Sequence, residues 1–199
     1  YNQAEQEKKA ETTEEAEPKK RKRTSVKDAV LMLSICKQIN QTLTQKQKVV
    51  VLFRLLELIK SDMQFTPQRM ELIDTVCMVF NISPEELKII HSFCINENPY
   101  TLESDDILVI DSEPVVVMDK ERGIKHIFSE GLDKEISIIR IKSVDLYFVK
   151  YNGKSEIFLN GLLFNNKTIY LFAPGSTMRL PQGTIFYSDV VGRFLSDKI

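Results

Sequence analysis

Thr66-Pro67-Gln68-Arg69-Met70 and Ser83-Pro84-Glu85-Glu86-Leu87 are two helix starts of one design, and their spacing sets the layout of the first half of the chain. In each, the hydroxyl of Thr66 or Ser83 can accept from the first free backbone amides of a helix. The proline that follows gives up an N–H that had no partner to lose. Glu86 stands three residues after Ser83 and completes a capping box, an arrangement that Thr44 and Gln47 repeat one helix earlier. Between these starts, Val49, Phe53, Leu56 and Ile59, then Met70, Ile73, Cys77 and Phe80, then Leu87, Ile90 and Cys94 recur at the period of one buried helix face. The connections are short, so neighbouring helices are expected to pack antiparallel. Ser25 to Asn40, with Val26, Val30, Leu33, Cys36 and Ile39, reads as a further amphipathic helix capped by Ser25.

After Asn96-Glu97-Asn98-Pro99 the period shortens to two. Ile107 to Ile110, Val115 to Met118, Ile136 to Ile141, Leu146 to Val149, Ile157 to Leu159, Ile169 to Phe172 and Ile185 to Tyr187 are short runs rich in β-branched and aromatic residues. Asn152-Gly153 and Asn160-Gly161 are hairpin signals, because two-residue turns need positive φ, and Pro174-Gly175 marks another reversal. No helical pattern separates these runs, which favours a small antiparallel β-sandwich over a parallel sheet. Val190 to Leu195 is either a last short helix or the exit of the chain. The expected fold class is therefore α+β in two domains, a helical bundle over 25–98 and a β-sandwich over 104–196.

The 199 residues are 43% hydrophobic with a formal charge of -1, which gives no global reason to expect a nucleic-acid partner. The longest apolar stretch, Val49 to Ile59, is broken by Arg54 and Glu57 and is shorter than the roughly 20 residues that cross a bilayer. Cys36, Cys77 and Cys94 fall in helical patterns without a C-x-x-C pair and read as small apolar core residues of a reducing, cytoplasmic compartment. No secretory signal opens the chain at Tyr1, and the reading is of a segment of something longer. Residues 1–24 read as a disordered charged linker, with Glu5, Glu7, Glu11, Glu14, Glu15 and Glu17 ahead of Lys19, Lys20, Arg21, Lys22 and Arg23. The basic cluster could serve as a nuclear-import signal or an anionic-lipid patch; the favoured reading is a solvated linker whose two charge blocks cancel.

Leu43-Thr44-Gln45-Lys46-Gln47-Lys48-Val49-Val50-Val51-Leu52, continuing through Leu55 to Asp62, Phe65-Thr66 and Phe80-Asn81-Ile82-Ser83, resembles a TerB-like tellurite-resistance domain. With Ile157-Phe158-Leu159-Asn160-Gly161, Ile169 to Ser176 and Ile185 to Val191 behind it, the chain is similar to the cytoplasmic N-terminal region of bacterial ABC transporter ATP-binding proteins. The β part also resembles the closing half of a forkhead-associated domain. The first likeness implies divalent metal at the inter-helix turn, where Asp62, Glu71 and Asp74 are the candidate ligands. Met63 and Gln64 stand where that family has glycine and an acid, which favours a helix-end role for Asp62. The second implies an ATPase cassette and a permease part following this segment, with ATP and magnesium bound there and membrane association through the permease. The third implies a phosphopeptide site, for which Arg140 and Asn160 are the candidates. Arg122 precedes Gly123 instead of following it, and His126 lacks its serine, which favours a scaffolding version.

No Gly-Lys-Ser/Thr loop occurs, since Gly175-Ser176-Thr177 lacks the lysine and the strand-to-helix setting. His91 and His126 lie in different expected domains, and His91 with Cys94 makes only half a zinc site. No cofactor is expected within the segment, and it is expected not to be an enzyme. The functional expectation is an interaction and regulatory region of a bacterial ABC transporter ATP-binding protein, docking other domains or protein partners and no nucleic acid. The rivals are a phosphopeptide-binding module and a metal-binding tellurite-resistance or stress-response protein.

Overall fold

The computed structural model describes residues 16–62, 64–113 and 123–196, with side chains from Val26 onward. The chain is α+β, with helices first and largely antiparallel strands after them. Helix α1 (Ala16–Thr42) is followed by α2 (Gln45–Ser61), α3 (Pro67–Val79) and α4 (Pro84–Ile95), then a 3-10 turn at Pro99–Thr101. The strands are β1 (Ile107–Asp111), β2 (Lys125–Phe128), β3 (Ile136–Ile141), β4 (Leu146–Tyr151), β5 (Phe158–Leu159), β6 (Leu162–Leu163), β7 (Tyr170–Leu171), β8 (Thr177–Leu180) and β9 (Gly183–Phe186). Helix α5 (Tyr187–Leu195) closes the described chain.

The helix starts form as their sequences require. Thr44, Thr66 and Ser83 accept from the amides of Gln47, Arg69 and Glu86. The box at Thr44 closes, with the Thr44 amide donating to Gln47 Oε1 at 2.9 Å. At Ser83 it does not close, because the Glu86 carboxylate is drawn to Ser143 in the β3–β4 turn. Helix α3 ends with Asn81 at φ 57°, Ile82 donating to Cys77 O at 2.9 Å and Asn81 to Met78 O at 3.2 Å. That pair of bonds is a Schellman stop, and it turns Ile82 into the core. Helix α1 begins at Ala16 and not at Ser25. Pro18 falls in the first turn, where it removes no helical hydrogen bond, and neither Gly nor Pro follows before Thr42. The part of the expected linker before Ala16 lies outside the described residues.

The strands form two sheets, one in the order β2-β1-β3-β4-β7 and one in the order β6-β5-β8-β9. All pairs are antiparallel except β1 with β2, which run parallel with Val109 opposite His126. Every residue of β1 and β4 is buried, because the five-stranded sheet is covered on both faces. Ile107, Val109, Ile139, Ile141 and Phe148 face the helices and share one hydrophobic core with Phe53, Leu56, Ile90 and Phe93. Phe53 stacks on Phe148 at 3.8 Å between centroids, and Phe93 meets Phe53 edge-on at 6.5 Å. Leu108, Ile110, Ile138, Tyr147 and Val149 point the other way, into a second core with Leu159, Met178, Ile185, Val190 and Phe194.

Asn160-Gly161 makes the β5–β6 hairpin, with φ of 52° and 82°, as a two-residue turn demands. Pro174-Gly175 turns with Gly175 at φ 84° and Ser176 donating to Ala173 O at 2.9 Å. Asn152-Gly153 is not a hairpin turn. Neither residue has positive φ, and β4 pairs with β3 and β7 instead of with β5. Gly153 is needed there for close approach, since a Cβ would run into the Tyr151 hydroxyl and the Asp133 carboxylate. The run Val115 to Met118 lies outside the described residues.

Candidate functional site

Polar side chains that interrupt the apolar helix faces fasten the helical layer to the five-stranded sheet. On α2, Arg54 Nη1 donates to Ile169 O at 2.7 Å and to Glu57 Oε2 at 2.6 Å. The Ile169 amide donates to Glu57 Oε1 at 2.6 Å, so one i,i+3 pair holds both backbone groups of that residue. On α4, Glu86 accepts from Ser143 Oγ at 2.6 Å and from its amide at 3.3 Å.

Lys150 makes the third fastening. It rises from β4 beneath the C-terminal end of α4 and donates to the carbonyls of Phe93 and Asn96. Its ammonium lies 4.7 Å from the centre of the Phe93 ring, and Lys60 donates to Cys94 O at 3.0 Å beside it. Two lysines thus serve the carbonyl end of one helix, where positive charge is favourable. Burial, reinforced by the nearby Lys60 charge, lowers the Lys150 amine to about 8.

A second polar cluster lies where β1 and β2 run parallel. His126 Nε2 is 2.6 Å from Asp111 Oδ1, the Tyr100 hydroxyl donates to Oδ2, and the Glu113 amide donates to Oδ1 at 3.0 Å. The His126 and Asp111 side chains are only 3% and 8% exposed. Burial, with the hydrogen bond to Asp111, holds the Tyr100 hydroxyl well above its usual range, so it remains a donor. A carboxylate orienting an imidazole is two-thirds of a nucleophilic triad, but His126 Nδ1 is buried with no hydrogen-bond partner. Among the described residues, no hydroxyl or thiol is hydrogen-bonded to it for activation.

The candidate metal ligands are not gathered. Asp62 caps the end of α2 and lies 3.7 Å from Arg69 Nη1, which also donates to Gln64 O at 3.2 Å. Glu71 and Asp74 sit along α3. Among the described residues, no group of three or more His, Cys, Asp or Glu side chains could hold a metal ion. The candidate phosphopeptide residues are also apart. Arg140 donates from Nε and Nη2 to Asp145 Oδ1 at 3.1 and 2.9 Å from the five-stranded sheet. Asn160 belongs to the other sheet, where its Oδ1 accepts from the Thr177 amide at 2.9 Å. Lys142 is occupied by Asp105 and Asp106 at 3.3 and 3.0 Å.

Comparison with protein-family models, curated proteins and solved structures finds no match. No helix among the described residues is long and apolar enough to cross a membrane.

The cluster of Tyr100, Asp111 and His126 carries no signal in the sequence, because its members stand on three separate elements and the parallel pairing of β1 with β2 brings them together. Arg54 and Glu57 did carry one. Two charges three residues apart inside an apolar helix face must either snorkel or find a partner, and here they find Ile169.

Proposed function

We propose that this chain is a regulatory and interaction region of a bacterial ABC transporter ATP-binding protein, acting in the cytoplasm with the ATPase cassette elsewhere on the same polypeptide. The observation that carries the reading is the use of its polar groups. Lys150, Glu86, Arg54, Glu57 and Arg140 are each bonded to the backbone or to a counter-charge of the chain itself. Side chains committed in this way stiffen a platform and leave little for catalysis. The sequence likeness to the N-terminal region of those transporters supplies the context, and in that context the platform presents surfaces to neighbouring domains. Reading the coding sequence past position 199 tests it. A Gly-Lys-Ser/Thr loop behind a strand is the expected result, and an ending or an unrelated domain overturns the proposal.

A further inference from the structure

Helix α1 is longer than the bundle it packs on. Its 27 residues span roughly 40 Å, whereas the 13 of α3, its main neighbour, span roughly 20 Å. Among the described side chains of α1, which begin at Val26, none before Met32 joins either hydrophobic core. Val26, Val30 and Leu31 are 63%, 61% and 61% exposed, and Ile35 is 42% exposed. Two i,i+4 pairs of aliphatic groups, Val26 with Val30 before the packed part and Leu31 with Ile35 at its start, therefore stand in water on α1. The same helix carries Lys19, Lys20, Arg21, Lys22, Arg23, Lys27 and Lys37 against only Glu17 and Asp28.

Read as sequence, the cations cancel against the preceding glutamates. With the backbone helical from Ala16, they share one element with the exposed aliphatics and outnumber the acids on it. A nucleic acid or an acidic polypeptide would answer the charge and leave Val26, Val30, Leu31 and Ile35 wet. A lipid surface answers both features, since phosphates meet the cations while aliphatic groups enter the headgroup boundary. We propose that the free length of α1 docks on the surface of an anionic phospholipid bilayer without crossing it.

Co-sedimentation of the full 199-residue chain tests this, with vesicles of phosphatidylcholine alone or mixed with phosphatidylserine, at low and high salt. Binding is expected only to the mixed vesicles and is released by salt. At about 1 kcal/mol per cation near the surface, the triple variant K20Q/R21Q/K22Q weakens partitioning about a hundredfold. Leu31→Asp also weakens it, although Leu31 is too exposed for the change to unfold the core, which circular dichroism checks. The proposal is overturned by absence of binding to the mixed vesicles, by equal binding to phosphatidylcholine alone, or by either variant binding as tightly as the unaltered chain. Capture of duplex DNA or polyglutamate without vesicle binding overturns it as well. None of these results bears on whether an ATPase cassette accompanies the chain.

Discussion

Replacing Lys150 with methionine keeps the length of the side chain and removes its charge from under α4. In the folded chain burial lowers the amine from 10.5 to about 8, while in the unfolded chain it titrates near its ordinary value. Between these values the unfolded state holds a proton that the folded state has released. Stability therefore rises with pH across that window, and below pH 8 the folded state bears the full penalty of about 3 kcal/mol. From pH 7.5 to 9.5, this one group should stabilise the unaltered chain by about 2 kcal/mol relative to Lys150→Met. The variant also leaves the Phe93 and Asn96 carbonyls without their donor, a loss of about 1–3 kcal/mol per group that offsets the relief of the charge. Urea unfolding of both proteins at several pH values separates the two effects, because the lost donors shift the curves by a constant and the titration changes their separation. Curves that stay parallel from pH 7.5 to 9.5 would refute the account of Lys150 as a desolvated amine.

Glu57→Ala should cost about 1–3 kcal/mol in urea unfolding by leaving the Ile169 amide without its acceptor, and a cost below about 0.5 kcal/mol would remove the pair's role as a fastening. Phe53→Ala should cost about 3–5 kcal/mol by the same assay, since the ring touches both Phe93 and Phe148 at the centre of the shared core. Gly153→Ala should lower the thermal midpoint more than Gly161→Ala, because the first meets side chains and the second meets open space with only its φ of 82° to strain. Burial lowers the imidazole of His91, against the pull of Asp74. The folded state resists the proton that the unfolded state takes up below about pH 6.5, so stability should fall as pH drops through that range. His91→Phe should flatten that fall, and an unchanged pH profile would count against it.

Elements with a local cause were legible in the residues. Thr66-Pro67 and Ser83-Pro84 start helices through bonds made within their own first turns, and Asn160-Gly161 makes its turn from its own φ angles. The run Ile107 to Ile110 was legible as a strand, but that both of its faces are covered emerges only from the layers packed on it. What escaped were choices made between distant groups. Glu86 could close its own cap or reach Ser143, and the docking of α4 on the sheet decided for Ser143. Asn152-Gly153 has hairpin chemistry, yet the Asp133 carboxylate collects the amides of Lys154 and Ser155 at 2.7 and 3.0 Å and shapes the loop instead. The candidate ligands Asp62, Glu71 and Asp74 were plausible by type and order. At Asp62 the outcome depended on where Arg69 would reach, which no local pattern records.

The grip of Arg54 and Glu57 on Ile169 also bears on self-association. Among the described residues strand β7 ends its sheet, and a margin of that kind invites a foreign strand to extend the ladder. At Ile169 the amide and the carbonyl that such a strand would seize are already held by α2. The helix thus acts as a guard on the open side of the sheet, and loosening its hold on Ile169 would free backbone groups that a foreign strand could pair with.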